Sequence, residues 1–224
     1  MKRKEKLVLH LEQFVTERRL QLIYKVLSKR TRYITVVLED IYQSHNASAV
    51  LRSCDCFGIQ DVHIIENRNA YRVNPDVALG SHKWLTLYKY TAKQNNTGDT
   101  LAGLKKKGYR IVATTPHTNG CVLGEFDLHK GKTALLFGTE LEGLTPDAVA
   151  MADEFLTIPM AGFTESLNIS VTVAIILHFL TDQLRKSEIP WQLSPAENMQ
   201  VKLQWLKNSI RYSDTIEKTF LGNN

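Results

Sequence analysis

Six short apolar runs lie between residues 34 and 160, and helical periodicity appears in the segments that separate them. The runs are ITVVLED (34–40), DVHIIE (61–66), WLTLYKY (84–90), YRIVAT (109–114), TALLFG (133–138) and EFLTIPM (154–160). Most are too continuously apolar to show one face to water, as expected of strands covered on both sides; WLTLYKY alternates and is the weakest. Between them, residues 46–57 put Ala47, Val50, Leu51 and Cys54 on one helical stripe, and a helix near 98–107 stops at Gly108. Strands alternating with helices call for a mostly parallel sheet with helices on both faces. The expected core is therefore an α/β domain over residues 33–185.

The stretch FTESLNISVTVAIILHFL (163–180) closes that domain. From Val171 it is almost continuously apolar and too long for a buried strand, so it is expected to be a buried helix. Thr164, Ser166, Asn168 and Ser170 crowd its front end, yet a helix has one N-cap position to fill. At least one of these polar groups is surplus. Surplus polar groups at a helix N-terminus beside a strand end suit a polar ligand.

Helical segments flank the domain. Leu7, Leu11 and Phe14 share one face of a first helix, and Thr16 caps a second whose stripe is Leu20, Ile23, Tyr24 and Leu27. These form an N-terminal arm, residues 1–32. At the other end, residues 186–224 form a C-terminal extension. There Ser194, Pro195 and Glu197 make an N-cap, a proline at N1 and a capping-box Glu. Met199, Leu203, Leu206 and Ile210 mark the buried side of that helix, and a last short helix runs from Asp214 to Gly222.

The formal net charge is +5, and the arm alone accounts for more than that. Residues 1–32 hold ten Lys/Arg against three Glu, whereas the remainder holds eighteen Lys/Arg against twenty Asp/Glu. A basic segment of this kind is either a solvated face or a contact for a polyanion such as a phosphate backbone. Cys54, Cys56 and Cys121 make no disulfide framework, and no Cys/His grouping has zinc spacing, so no metal is expected. The longest apolar run is too short to span a bilayer and the basic N-terminus lacks a signal-peptide core, which points to a cytoplasmic protein without membrane contact.

P-loop, GxSxG, HExxH and strand-linked GxGxxG signatures are absent. The unexplained polar residues fall just after strands, at the carboxyl edge where open α/β sheets bind ligands. In HNASAVLRSCDCFG (45–58), Asn46 suits an N-cap, and Ser48, Arg52 and Asp55 share a face opposite the apolar stripe. Arg52 either pairs with Asp55 or clamps a phosphate or substrate in a cleft. In LLFGTELEGLTPDAV (135–149), Gly138 and Gly143 allow positive φ or close approach of the backbone, and Glu140 between them has no core role.

These three segments resemble the three motifs of the SPOUT superfamily, in its TrmH-like branch of RNA 2′-O-ribose methyltransferases. Asn46 and Arg52 match the first motif; Gly138, Glu140 and Gly143 match the second; Ile158-Pro159-Met160 and Ser166-Leu167-Asn168-Ile169-Ser170 match the third. TERRLQLIYKVLSKRTRYITVVLEDIYQSHNASAVLR and GSHKW (80–84) extend the likeness to tRNA guanosine 2′-O-methyltransferases. The resemblance implies a SPOUT-type sheet with a C-terminal trefoil knot between the helical extensions, a homodimer, and S-adenosylmethionine bound in the knot loops. It implies tRNA as substrate, with guanosine 18 of the D-loop as target. Another RNA, or an inactive RNA-binding relative, is the alternative. Carried over by position, Thr114, Gly138, Ile158 and Leu167 would contact the cofactor. Arg52, Asn46, Glu140, Ser166 and Asn168 would form the catalytic group. Arg18, Arg19, Lys29, Arg30 and Arg32 would meet tRNA phosphates.

Overall fold

The computed structural model describes residues 3–70, 74–116 and 120–222. Its strands are β1 (Ile34–Glu39), β2 (Asp61–Ile65), β3 (Thr86–Tyr90), β4 (Arg110–Thr114), β5 (Cys121–Val122), β6 (Thr133–Phe137) and β7 (Glu154–Thr157). They form one sheet in the order β3-β2-β1-β6-β4-β7-β5, and each neighbouring pair is parallel. The helices are α1 (Arg3–Glu12), α2 (Glu17–Leu27), α3 (Ser44–Phe57), α4 (Pro75–Ala78), α5 (Thr97–Lys106), α6 (Pro146–Ala150), α7 (Ile169–Lys186), α8 (Pro195–Ser209) and α9 (Ser213–Gly222). The chain divides into two units, Thr31–Trp191 and the pair of terminal segments Met1–Arg30 with Gln192–Asn224.

All six expected strands are present, and only the two-residue β5 lacks an apolar run to announce it. Strand periodicity sends alternate residues to opposite faces. Val36, Leu38, Val62, Ile64, Leu135 and Phe137 join the core under α3 and α7. Val37, Ile65, Ala134 and Leu136 turn the other way, toward Leu101 and Leu104 of α5 and Ala148 of α6. The stripe Ala47, Val50, Leu51 and Cys54 of α3 is fully buried, as are Val173, Leu177 and Leu180 of α7. Each fully buried Val or Leu among them stabilises the fold by roughly 1.5–3 kcal/mol. The two exits of the α/β unit lie side by side, since Thr31 Oγ1 donates to the Trp191 carbonyl at 2.6 Å.

Within the unit made by the two chain ends, α1 and α2 pack against α8. Lys202 of α8 ion-pairs with Glu12, donates to the Tyr24 hydroxyl at 2.7 Å and lies over the Tyr24 ring. This explains why Tyr24, expected on the buried stripe, is about half exposed: its hydroxyl is bridging Glu12 and Lys202. Phe14 falls past the end of α1 and is also half exposed rather than buried. Arg30 departs from expectation in the opposite sense. It is 1% exposed with its guanidinium over the Trp205 ring, so it is a packing residue and not a free cation for phosphates. Arg18, Arg19 and Lys29 are exposed. No helix among the described residues is long and apolar enough to cross a membrane.

One buried titratable group links the sheet to pH. His63 on β2 is 2% exposed, stacks on Tyr88 at 4.8 Å and shares a hydrogen bond of 2.8 Å between Nδ1 and the Tyr90 hydroxyl. Burial, with Lys107 nearby, lowers its pKa from 6.5 to about 4. The folded state therefore favours neutral imidazole, while the unfolded chain takes up a proton near pH 6.5. Its stabilising effect is complete above that pH and is lost as pH falls toward 4, amounting to about 3 kcal/mol. Urea melts of wild type and His63→Phe across this window should show a shallower acid loss in the variant; parallel curves would assign the loss to other groups.

Candidate active site

The strand order reverses beside β1: β2 and β3 lie to one side, and β6, β4, β7 and β5 to the other. A cleft of about 770 Å³ opens at the carboxyl ends of β4, β6 and β7, the place where open parallel sheets bind ligands. Thr114, Gly138, Ile158 and Leu167 all line it, as do Asn46, Glu140, Ser166 and Asn168. Three segments far apart in sequence thus meet at one opening.

Hydrogen bonds tie these segments together. Asn46 Nδ2 donates to Glu140 Oε1 at 2.7 Å and to Gln43 Oε1 at 3.1 Å, and Asn46 Oδ1 accepts from Asn168 Nδ2 at 3.2 Å. Both amide protons of this buried side chain are committed. Asn46 is not the N-cap of α3 that its residue type suggested; that place belongs to Gln43, without a side-chain cap bond, and Asn46 sits in the first turn with its side chain turned into the cleft. The cap of α7 is Asn168. Its Oδ1 accepts from the Ser170 backbone N–H at 2.8 Å and from Ser170 Oγ at 2.6 Å. Asn168 therefore holds the helix start and the cleft at once, Ser170 belongs to the first turn, and Ser166 is the surplus hydroxyl, exposed at the cleft wall.

The second segment is shaped by backbone contact. Thr139 and Gly143 form a small antiparallel bridge, with Thr139 N–H donating to the Gly143 carbonyl at 2.9 Å. Gly143 takes φ +72°, which L side chains disfavour. A Cβ on Gly138 would meet Gly143 C and O at 2.2 Å, so the loop closes only because residue 138 has no side chain. Thr145 then caps α6, and the Glu39 carboxylate, buried at the end of β1, accepts from its N–H and hydroxyl at 2.9 and 2.8 Å.

Arg52 stands apart. It lies six residues beyond Asn46 on α3, about 9 Å along the axis and a third of a turn around it. It is exposed, does not line the cleft, and has no ion pair with Asp55. Ser48, expected beside Arg52 on an open face, is buried and accepts from the Asn74 backbone N–H at 2.8 Å. Arg32 is held by Asp61 at 3.0 Å.

Sequence reasoning missed a support for the Glu140 loop. Asp40, at φ +53°, accepts the backbone N–H groups of Asn67 and Arg68 at 2.7 and 2.9 Å. The loop so fixed presents Arg68, which pairs with Glu142 at 2.7 Å. The only signal for it was an Asp after a strand, and turns use such residues everywhere. Among the described residues no cluster of His, Cys, Asp or Glu is grouped to hold a metal ion.

With this geometry in hand, residues 33–178 match the model described as the SpoU rRNA Methylase family. A tRNA (guanosine(18)-2′-O)-methyltransferase of Borreliella burgdorferi is 42% identical over 207 residues, covering 92% of this chain and 93% of that one. One from Thermus thermophilus is 34% identical, covering 86% and 97%. The crystal structure of the A. aeolicus TrmH/SpoU tRNA modifying enzyme superposes with a TM-score of 0.76 at 31% identity, over 87% of this chain and 98% of that one. Motifs, fold and relatives agree, and the chain belongs to the SpoU methylase family.

Proposed function

We propose that this chain methylates the 2′-hydroxyl of a tRNA ribose, guanosine 18 of the D-loop, with S-adenosylmethionine as donor. The observation that carries the reading is the bonded series Glu140–Asn46–Asn168 at the mouth of one cleft. The tRNA and the position follow the names of the similar proteins. A ribosomal RNA target is the second reading, favoured by the family description. The SPOUT trefoil knot and a cytoplasmic location belong to the same proposal.

The cleft suits the donor. Its volume lies within the usual range for a small-molecule site. Phe155, Leu156, Ile158 and Leu167 offer apolar wall, and the bare backbone at Gly138 permits close approach. Bound there, S-adenosylmethionine would supply an electrophilic methyl group on a sulfonium. The chain's own part is positioning. Asn46 has no proton left for substrate, so it acts by orienting Glu140 and Asn168. The second carboxylate oxygen of Glu140, the second amide proton of Asn168 and the Ser166 hydroxyl remain for a ribose or the donor. A guanidinium does not give up its proton near neutral pH, so Arg52 serves as a phosphate clamp and not as a base.

Arg18, Arg19 and Lys29 are the cations of the arm that fit tRNA phosphates, while Arg32 is engaged with Asp61. A homodimer is part of the proposal. Leu141 and Phe163 are almost wholly exposed, and Val171 and Ile175 leave an apolar strip open on α7. A second copy would cover such a strip and offers one route by which Arg52 meets a cleft.

Incubation with labelled S-adenosylmethionine and unmodified tRNA transcripts, followed by mapping of 2′-O-methyl groups, tests the reading. Label at guanosine 18 is expected; label confined to ribosomal RNA fragments would replace the substrate. Arg52→Lys should lower kcat about a hundredfold, as expected when a reacting group is misplaced, and near-normal turnover would remove the clamp. Asn168→Asp keeps the helix cap but loses the donor to Asn46, so activity should fall with little change in Tm. Equal losses of both would reduce Asn168 to a cap. Gly138→Ala forces the loop apart and should weaken donor binding at least tenfold while destabilising by about 1–3 kcal/mol; calorimetry showing unchanged affinity would refute the close-approach argument.

A further inference from the structure

We propose a second RNA contact on the α/β unit, at the end of the sheet opposite the cleft, formed by Lys106, Lys107 and Lys132. It rests on the reading of the chain as an RNA methyltransferase. The three lysines are exposed. They come from two separate segments, the end of α5 and the residue before β6, so the attraction of one helix C-terminus for cations does not account for all of them.

Contacts join the surroundings of Lys107 and Lys132, and Lys106 precedes Lys107 at the end of α5. Lys107 Nζ lies 5.5 Å from the centre of the Tyr88 ring, and Lys132 Nζ lies 5.5 Å from that of Tyr109. The Tyr109 hydroxyl donates to the Arg32 carbonyl at 2.7 Å, and the Arg32 side chain pairs with Asp61, which neighbours Thr86 of the Tyr88 strand. The backbone N–H of Arg110 donates to the Lys132 carbonyl at 2.8 Å, joining the two segments. Ammonium groups resting on ring faces are held in place by the ring quadrupole and remain open to an anion on their outer side.

Charge bookkeeping isolates these three. Asp61 is matched by Arg32, Asp153 by Lys105, and Glu154 by both Arg110 and Lys130. Lys106, Lys107 and Lys132 form no ion pair among the described residues; the Asp99 carboxylate, which feels the charge of Lys106, is itself paired with Lys93. Every nearby acid in an ion pair is thus already neutralised, and the patch keeps a positive excess that a phosphate backbone would complement.

Position selects the size of the partner. The patch gathers at the amino ends of the strands and the cleft at their carboxyl ends, and a five-residue strand spans about 17 Å. A ligand that reaches both is a folded RNA, larger than the loop that enters the cleft.

The test is salt-dependent binding of an unmodified full-length tRNA transcript to the whole protein, wild type against the triple variant K106E/K107E/K132E. Losing three phosphate contacts should make the slope of log K against log salt shallower by about 2 and weaken binding about tenfold or more at low salt. An isolated D-arm stem–loop should bind both proteins alike. Lys186→Glu at the end of α7, on the opposite face of the sheet from α5, should leave the tRNA slope as in wild type, and a triple Lys→Gln variant guards against misfolding of the charge reversal. An unchanged tRNA slope, or equal weakening of the stem–loop, would overturn the proposal. The measurement is of binding, so it decides the patch independently of whether methyl transfer to guanosine 18 is found.

Discussion

The amide of Asn46 has no spare hydrogen-bonding proton, and the site is organised around that fact. One side chain accepts from the start of α7 and donates to the Glu140 loop and to the entry of its own helix. Because the group is buried, an unmade bond there would cost about 1–3 kcal/mol, so the three segments are held in one relative arrangement. Bonds within the chain itself orient Glu140 and Asn168, and under the proposed reading such preorganised groups would stabilise a transition state without having to rearrange at the moment of reaction.

That arrangement needs a rigid support, which the parallel sheet supplies. Crossover connections place α3 and α7 on one face, and their apolar stripes interlock over Val36, Leu38 and Leu135. The polar turns at the carboxyl edge can then depart from ordinary geometry. Asp40 takes a left-handed conformation, and Gly138 touches the backbone of Gly143 more closely than any other residue type would permit. Such strain is tolerable only where surrounding structure fixes it. Here Glu39, anchored to Thr145, and the backbone bonds to Asp40 provide that fixing.

The sheet and its two helical layers were legible because apolar runs and helical stripes are local properties. Motif residues were legible as polar groups without a core role, and eight of the nine proposed catalytic and cofactor positions line one cleft. Other features depend on contacts between distant residues. Whether Asn46 or Gln43 caps α3 is settled by a bond to Glu140, 94 positions away. The burial of Arg30 depends on Trp205, and the exposure of Tyr24 on Lys202. A basic residue in a basic segment looks like every other one until its packing partner is known. Short elements such as β5 and α4 carry too few residues to show any period.

The helical unit built from both chain ends has a consequence for the order in which the protein matures. The α1–α2 segment leaves the ribosome before the α/β unit, yet Lys202, which pairs with Glu12, and the Trp205 platform beneath Arg30 are encoded after that unit. At ordinary translation speeds about 10–35 s separate the two. The α/β unit, whose strands and helices are contiguous in sequence, can form in that interval. The basic arm stays without its structural partners until α8 has been synthesised, so whatever polyanion it binds meets a finished surface only once α8 is in place.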